Sequence, residues 1–289
     1  MMKKLKIISL ISFLLLCFSA PALVAQDQLK ILQYNVLEGF KNDSLIQDEY
    51  ISWVENIDPD IIAYQEMNDF TQRKLEAFAL RYGHEYAVLS KTEGYPVALS
   101  SKFPIVNVQK VIDNMWHAYI YAQIADVHIF VIHFSPHQVI KRRAEIRQIL
   151  AHAALLPQDE KIVITGDFNS YAPLDSLVYD GDRLKAYREI QKKHKHIRNL
   201  DNGQFDYSVI GSIEKAGYTD LQKSYSKEFY QTLVASRQRI DYTFANESLA
   251  KHLTSMEVIV DSKTKKLSDH FPSLAIFNFS GFSEFPVTR

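Results

Sequence analysis

Six strand-like runs in this chain end on side chains that can bind a cation or move a proton. Asn35 follows Ile31-Leu32-Gln33-Tyr34, Gln65 and Glu66 follow Ile61-Ile62-Ala63-Tyr64, and His133 follows Ile129-Phe130-Val131-Ile132. Asp167 and Asn169 close Ile162-Val163-Ile164-Thr165-Gly166, two residues apart and so on one face if the chain stays extended. Asp241 sits in Arg239-Ile240-Asp241-Tyr242, and Asp269 and His270 in Leu267-Ser268-Asp269-His270-Phe271-Pro272. Taken singly, a strand-end Asn or Asp is explained as a turn or cap residue, and a lone His as a satisfied structural group. Six recurrences are harder to explain that way. Carboxylates, carboxamides and two imidazoles, with no serine or cysteine elbow, offer hard oxygen donors suited to Mg2+ or Mn2+. A histidine fixed by an aspartate can deprotonate water. Together they suit attack of water on a phosphate ester, with cation and imidazole neutralising charge on the phosphoryl oxygens.

Such a set works only if strands bring it to one place. Strands are expected at 31–36, 61–64, 86–89, 97–100, 105–111, 162–165, 240–244, 256–260 and 273–277, and a hairpin over 119–133 turning at Ala125 and Asp126. Helices are expected at 44–57 before Pro59, at 70–82 before Gly83, and at 139–156 before Pro157. The last puts Ile146, Ile149, Leu150 and Ala153 on one face, with Lys141, Arg142, Glu145 and Gln148 elsewhere. Strands interleaved with helices and hairpins predict a mixed-sheet α/β domain. No repeat and no Pro/Ser/Gly-rich linker divides it, so residues 26–289 are expected to form one domain.

Composition narrows the class further. With 47 % hydrophobic residues and only 9 Gly and 9 Pro in 289, the chain can bury a large core and is not a disordered or collagenous sequence. The single cysteine, Cys17, excludes a disulfide framework within the chain and a cysteine-based metal cluster. It lies in a leader in which Lys3, Lys4 and Lys6 precede an apolar run and then small residues, the pattern of a signal peptide over 1–25. An uncleaved anchor would need about 20 apolar residues, and Ser12, Ser19 and Pro21 interrupt this run. Leu16 before Cys17 argues against lipidation. Cleavage is expected between Ala22 and Gln26, giving a secreted or periplasmic protein. Removing 1–25 takes away three lysines and no acid, leaving 30 basic against 34 acidic residues and a formal net charge of −4. A general basic surface for nucleic acid is thereby disfavoured. The basic stretch 183–198 reads as a solvated helix face, with a phosphate-contacting rim as the alternative.

The ordered motifs Leu32-Gln33-Tyr34-Asn35-Val36, Asp60-Ile61-Ile62-Ala63-Tyr64-Gln65-Glu66, Val97-Ala98-Leu99-Ser100-Ser101-Lys102-Phe103-Pro104-Ile105, Val131-Ile132-His133-Phe134, Gly166-Asp167-Phe168-Asn169, Arg239-Ile240-Asp241-Tyr242 and Ser268-Asp269-His270-Phe271-Pro272 span nearly the whole mature chain. This series resembles the endonuclease/exonuclease/phosphatase superfamily, and especially its deoxyribonuclease-like and sphingomyelinase-like branches. The resemblance implies an α/β four-layer sandwich, two mixed β-sheets packed face to face with helices outside, and a site at one sheet edge. It implies Glu66 as the principal metal ligand, with Asn35 and Asp269 near the metal. His270, oriented by Asp241, would be the base or the phosphate-binding imidazole. Asp167 would position the attacking water and Asn169 a phosphoryl oxygen. His133 stands where abasic-site enzymes have a tyrosine, and could protonate the leaving oxygen. Arg239-Ile240-Asp241-Tyr242 departs from the segment expected of inositol polyphosphate 5-phosphatases, and the deoxyribonuclease disulfides are absent.

The expected function is therefore secreted, divalent-metal-dependent phosphoester hydrolysis, with diesters ahead of monoesters. A catalytically silent binding module is the rival from another class, and the presence of Glu66, Asp167 and His270 disfavours it. Small diesters, nucleic acid and phospholipid headgroups are the candidate substrates, for a monomer with no stable membrane insertion.

Overall fold

Two mixed six-stranded sheets organise the chain in the computed structural model, which describes residues 28–278 except 158 and 180. The expected leader, with Cys17, lies outside the described residues. The first sheet contains β1 (Gln28–Asn35), β2 (Ile61–Gln65), β3 (Tyr86–Leu89), β4 (Ala98–Ser101), β13 (Leu253–Val258) and β14 (Ser273–Asn278), in the order β13-β14-β1-β2-β4-β3. The second contains β5 (Ile105–Val111), β6 (Ala118–Ile124), β7 (Val127–His133), β8 (Lys161–Asp167), β11 (Thr219–Asp220) and β12 (Asp241–Ala245), in the order β11-β12-β8-β7-β6-β5. A two-residue ribbon, β9 (Leu200–Asp201) with β10 (Gln204–Phe205), stands apart.

Alternation along each strand decides which side chains enter which layer. Ile31, Ile61, Ala63 and Leu99 of the first sheet meet Ile120, Ile129, Val131 and Val163 of the second in one buried cluster between the sheets. Their neighbours Leu32, Tyr34, Ile62 and Tyr64 face outward onto Tyr50, Trp53, Leu75 and Phe78 of the helices Ser44–Ile57 and Gln72–Leu80. On the opposite side Phe130, Ile132, Ile162 and Ile164 pack against Ile146 and Ile149 of the helix Val139–Ala153 and Val209 and Ile213 of the helix Ser208–Lys215. The result is the four-layer α/β sandwich expected from the motifs. At roughly 1.5–3 kcal/mol for each fully buried aliphatic side chain, the inner layer can offset a cluster of buried polar groups at one end.

Among the described residues only two strand pairs are parallel, β1 with β2 and β7 with β8. Parallel neighbours need a crossover, and the helices Ser44–Ile57 and Val139–Ala153 supply it. Both pairs therefore end together: Asn35 stands beside Gln65 in the first sheet and His133 beside Asp167 in the second.

Three local expectations need correction. The chain does not stay extended after β8, because Asn169 turns into the left-handed region at φ 47°. The helix after β7 stops at Ala153, and its Arg142 and Glu145 are buried. Glu145 is needed inside, where its carboxylate accepts from the Trp116 and Ser135 amides at 2.6 and 2.9 Å. The basic helix Gly181–Lys193 has no buried residue, as a solvated face should.

Candidate active site

The inner layer turns polar where the parallel pairs end. Gln33 donates to Gln65 Oε1 (2.7 Å) and Asp241 Oδ1 (3.0 Å), and accepts from Ser273 Oγ (3.2 Å), all four buried. Gly166 makes room for this layer. At its φ of +144° a Cβ would lie 2.0 Å from the Ile132 carbonyl oxygen and 3.1 Å from Gln65 Nε2. Only glycine accepts that conformation at no steric cost.

Glu66 follows β2 in a left-handed conformation, φ 63°, uncommon for a side-chain-bearing residue. Its carboxylate accepts from Asn35 Nδ2 (3.2 Å) and from the Glu38 amide (3.0 Å). Residues 37–42 all have positive φ, a left-handed turn that costs about 1–2 kcal/mol per non-glycine residue. It is tied down by Gly39 N donating to the Glu66 carbonyl at 2.6 Å, and it aims an amide at the Glu66 carboxylate.

Asn35 joins the two sheets, since its Nδ2 also donates to Asp167 Oδ2 at 3.2 Å. Asp167 Oδ1 accepts from the Asn169 amide at 2.8 Å, while Asn169 Nδ2 donates to the Phe134 carbonyl at 3.1 Å. Asp167 Oδ2 lies 3.6 Å from His133 Nε2 and 4.0 Å from His270 Nε2. Those spacings are too long for direct hydrogen bonds. Behind His270, Nδ1 donates to Asp241 Oδ2 at 2.8 Å. Asp269, more than half exposed, brings a carboxylate oxygen to 4.0 Å from His270 Nε2.

All eight residues anticipated for the site therefore meet. Glu66, His133, Asp167, Asn169 and His270 line an open cleft of about 590 Å³. Asn35 and Asp241 lie behind it, and Asp269 stands at its outer edge. Lys91, Tyr95, Trp116, His117 and His137 also stand in the wall, and none was singled out from the motifs. One was within reach. β6 pairs Ala118 with His133, so His117 immediately precedes the residue opposite His133. Their rings stack at 4.1 Å.

Burial acts differently on each titratable group. It would lower the His270 pKa, but the carboxylates of Asp241, Asp167 and Asp269 outweigh it and raise the value to about 10, so the ring is an imidazolium at neutral pH. His133 goes the other way: burial, then the neighbouring His117, His270 and Lys91, hold it well below 6.5 and neutral. His117, also buried, is pushed down to about 3. Burial, then the Asp241 charge, raises the Asp167 carboxyl far above the carboxylate range. Glu66 is raised mainly by burial, with Asp269 adding to it, against the hydrogen bonds from Glu38 and Asn35.

Candidate ligand atoms of Asp167, Asp241 and His270 lie within 4.8 Å of one another, a buried acidic cluster with the spacing of a cation site. Asp241, however, is committed on both oxygens, to His270 and to Gln33. Of the remaining carboxylates, Glu66 and Asp167 line the cleft and Asp269 is more than half exposed beside it. Crowded, destabilised carboxylates of this kind fit a hard divalent ion, which would relieve their repulsion.

A sequence profile described as the Endonuclease/Exonuclease/phosphatase family matches residues 32–270. The chain belongs to this family. As a member of the Endonuclease/Exonuclease/phosphatase family it is a phosphoester hydrolase of the nuclease and phosphatase kind, and the matched stretch runs from β1 through His270. Its fold is shared by an AP endonuclease from Archaeoglobus fulgidus, with TM-score 0.64 and 21 % identity over 86 % of this chain and 99 % of that one. It is shared by the 3' phosphatase NExo from Neisseria, seen bound to a product DNA hairpin, at TM-score 0.65 and 22 % identity over 87 % of this chain and 100 % of the other. An endonuclease/exonuclease/phosphatase from Beutenbergia cavernae aligns at TM-score 0.62 and 14 % identity over 89 % and 72 % of the two chains. No curated protein matches the sequence. Among the described residues no helix is long and apolar enough to cross a membrane.

Proposed function

We propose that this chain is a divalent-metal-dependent phosphodiesterase acting outside the cytoplasm. The observation that carries the reading is the placement of Asp167 between two imidazoles of opposite character, His270 charged and His133 neutral. Mg2+ or Mn2+ would be held by Glu66 and Asp269, with Asn35 alongside. When bound, the ion supplies Lewis-acid stabilisation of charge on the phosphoryl oxygens. Asp167, with its raised pKa, accepts a proton from the attacking water. Asn169 lines the cleft and steadies the Asp167 carboxylate through its backbone amide, and one hydrogen of its Nδ2, beyond that given to the Phe134 carbonyl, is left for a phosphoryl oxygen. His270, held by Asp241, offers a fixed N–H and a positive charge to a phosphoryl oxygen. His133 stands opposite as the partner of the leaving oxygen. The protein's cations in the cleft are few, Lys91 and His270, which suits a diester monoanion better than a monoester dianion.

Because the Neisseria structure is of a 3' phosphatase, monoester hydrolysis is the alternative. Purified protein with Mg2+ or Mn2+, assayed on bis-p-nitrophenyl phosphate, p-nitrophenyl phosphate, DNA and sphingomyelin, separates the two. Diester turnover exceeding monoester turnover, and lost in chelator, supports the proposal; faster monoester turnover or chelator-insensitive activity overturns it. N-terminal sequencing of exported protein tests the leader, with a start between Ala22 and Gln26 expected.

A further inference from the structure

Beside the cleft, and sharing Pro136 and Asn169 with it, lies a second cavity of about 170 Å³. Its wall includes Arg142, whose side chain is only 4 % exposed. Nη1 donates to the Ser135 carbonyl (2.9 Å) and to Asn199 Oδ1 (2.7 Å), both neutral acceptors, and Nε has no partner. Buried charges are ordinarily paired, because an uncompensated one is costly. Asp206 and Glu145 favour the charge from a distance, yet burial still lowers the Arg142 pKa to about 10. A second buried group on the same wall, Ser170 Oγ, also lacks a partner.

The acceptors around these two groups are already used. Asn199 spends its Oδ1 on Arg142 and its Nδ2 on the Pro136 carbonyl. Gln238 Oε1 accepts from the Tyr171 and Tyr187 hydroxyls, and its Nε2 donates to Ser236. The Asp206 carboxylate is paired with Arg143 and takes the Ser208 hydroxyl. What the cavity has left to offer is a cationic donor and a hydroxyl. Their complement is a group that only accepts hydrogen bonds and carries negative charge. The volume accommodates one such group on a short arm, since about 150 Å³ holds a benzene molecule.

We infer that this cavity is an oxyanion subsite, in which Arg142 and Ser170 hold a second phosphate or carboxylate of the substrate while the scissile phosphoester lies in the neighbouring cleft. The inference rests on the phosphoester reading of that cleft and adds a substrate class to it, phosphodiesters bearing a second anionic group. Asn169, on the boundary of both spaces, separates the two ends of such a substrate.

The test uses p-nitrophenyl alkyl phosphodiesters whose alkyl arm, two to six methylenes long, ends in a phosphonate, a carboxylate or a hydroxyl. For the best arm length, wild-type kcat/KM should favour an anionic end over the hydroxyl end by about tenfold or more, as expected for charge-assisted hydrogen bonds to a buried guanidinium. Arg142→Gln should bring that ratio close to one. Ser170→Ala, which leaves the Ser135 and Asn199 contacts of Arg142 in place, should lower it a few-fold and guards against misfolding of the first variant. Phosphonate and carboxylate arms distinguish the two oxyanions. Hydrolysis of all esters with no anionic preference, or a preference that survives both substitutions, overturns the inference and leaves Arg142 as a tie between Ser135 and Asn199. If no ester is hydrolysed, the phosphoester reading has failed instead, and the subsite is judged on inorganic phosphate titrated into protein in chelator. Binding weakened by Ser170→Ala supports it; binding equal in wild type and variant overturns it.

Discussion

His270 Nδ1 donates to Asp241 Oδ2 at 2.8 Å, and this bond turns Nε2 toward Asp167. An ionised carboxylate only accepts, so the proton on Nδ1 is fixed, and the remaining nitrogen is the one the cleft sees.

The Asp241 charge raises the pKa of both His270 and Asp167. With Asp167 as base and His270 as cation, activity is lost as pH falls through the raised Asp167 value and lost again as pH rises through about 10 for His270. Asp241→Asn removes the anion, lowers both values and should move the whole bell of kcat/KM to lower pH. A profile measured at fixed metal concentration checks this; a shift of the alkaline limb alone would show that Asp241 does not act on Asp167.

Glu66 is a half-buried carboxylate lining the cleft, so Glu66→Gln should abolish Mg2+-dependent turnover. Circular dichroism should remain unchanged, because Gln keeps the size of Glu and its one oxygen still accepts from Asn35 or from the Glu38 amide. Residual activity above about one per cent, where loss of a principal charge-stabilising group costs 10²-fold or more, would point to another ligand.

His133 and His270 differ in charge and should fail differently. A ring held neutral has no extra proton to give but can donate a hydrogen bond to the leaving oxygen, so His133→Ala should cost about tenfold with an alkoxide leaving group and little with p-nitrophenolate, which departs without help. His270→Ala should be severe with both, because it faces the phosphoryl group in every case. Comparing the two substrates as a ratio cancels shared losses in metal binding.

Gly166→Ala puts a Cβ 2.0 Å from the Ile132 carbonyl oxygen at φ +144°. Urea unfolding should show a loss of about 2–4 kcal/mol, in the range of overpacking combined with backbone strain. Activity should fall with it, since Gln65 beneath Gly166 braces Gln33 and thereby Asp241.

The expected surface charge of −4 leaves little general attraction to a polyanion. Duplex DNA should accordingly be a weak, strongly salt-dependent ligand, with small diesters cleaved at 150 mM salt at least as well. Efficient duplex cleavage at that salt, with small diesters untouched, would reverse this ordering.

What the sequence determined by itself is what local periodicity and chain order encode. The alternation of Ile31, Leu32, Gln33 and Tyr34 sends adjacent residues to different layers, and the motifs from Asn35 to His270 fix the family and the side chains at the strand ends. Tertiary structure decided which donors remained free. Asp241 and Asp269 look alike in sequence, yet Asp241 is consumed by His270 and Gln33 while Asp269 stays exposed. Arg142 and Glu145 look like the polar side of an amphipathic helix, yet both are buried, because the loops of Ser135 and Asn199 close over that side. Lys91 and Tyr95 reach the cleft from the connection between β3 and β4, Trp116 from that between β5 and β6, and none carries a periodic signal. Charge state is likewise a property of three dimensions. His133 and His270 begin with the same intrinsic basicity, and only the carboxylates around one, and burial with a stacked imidazole at the other, make them cation and neutral ring.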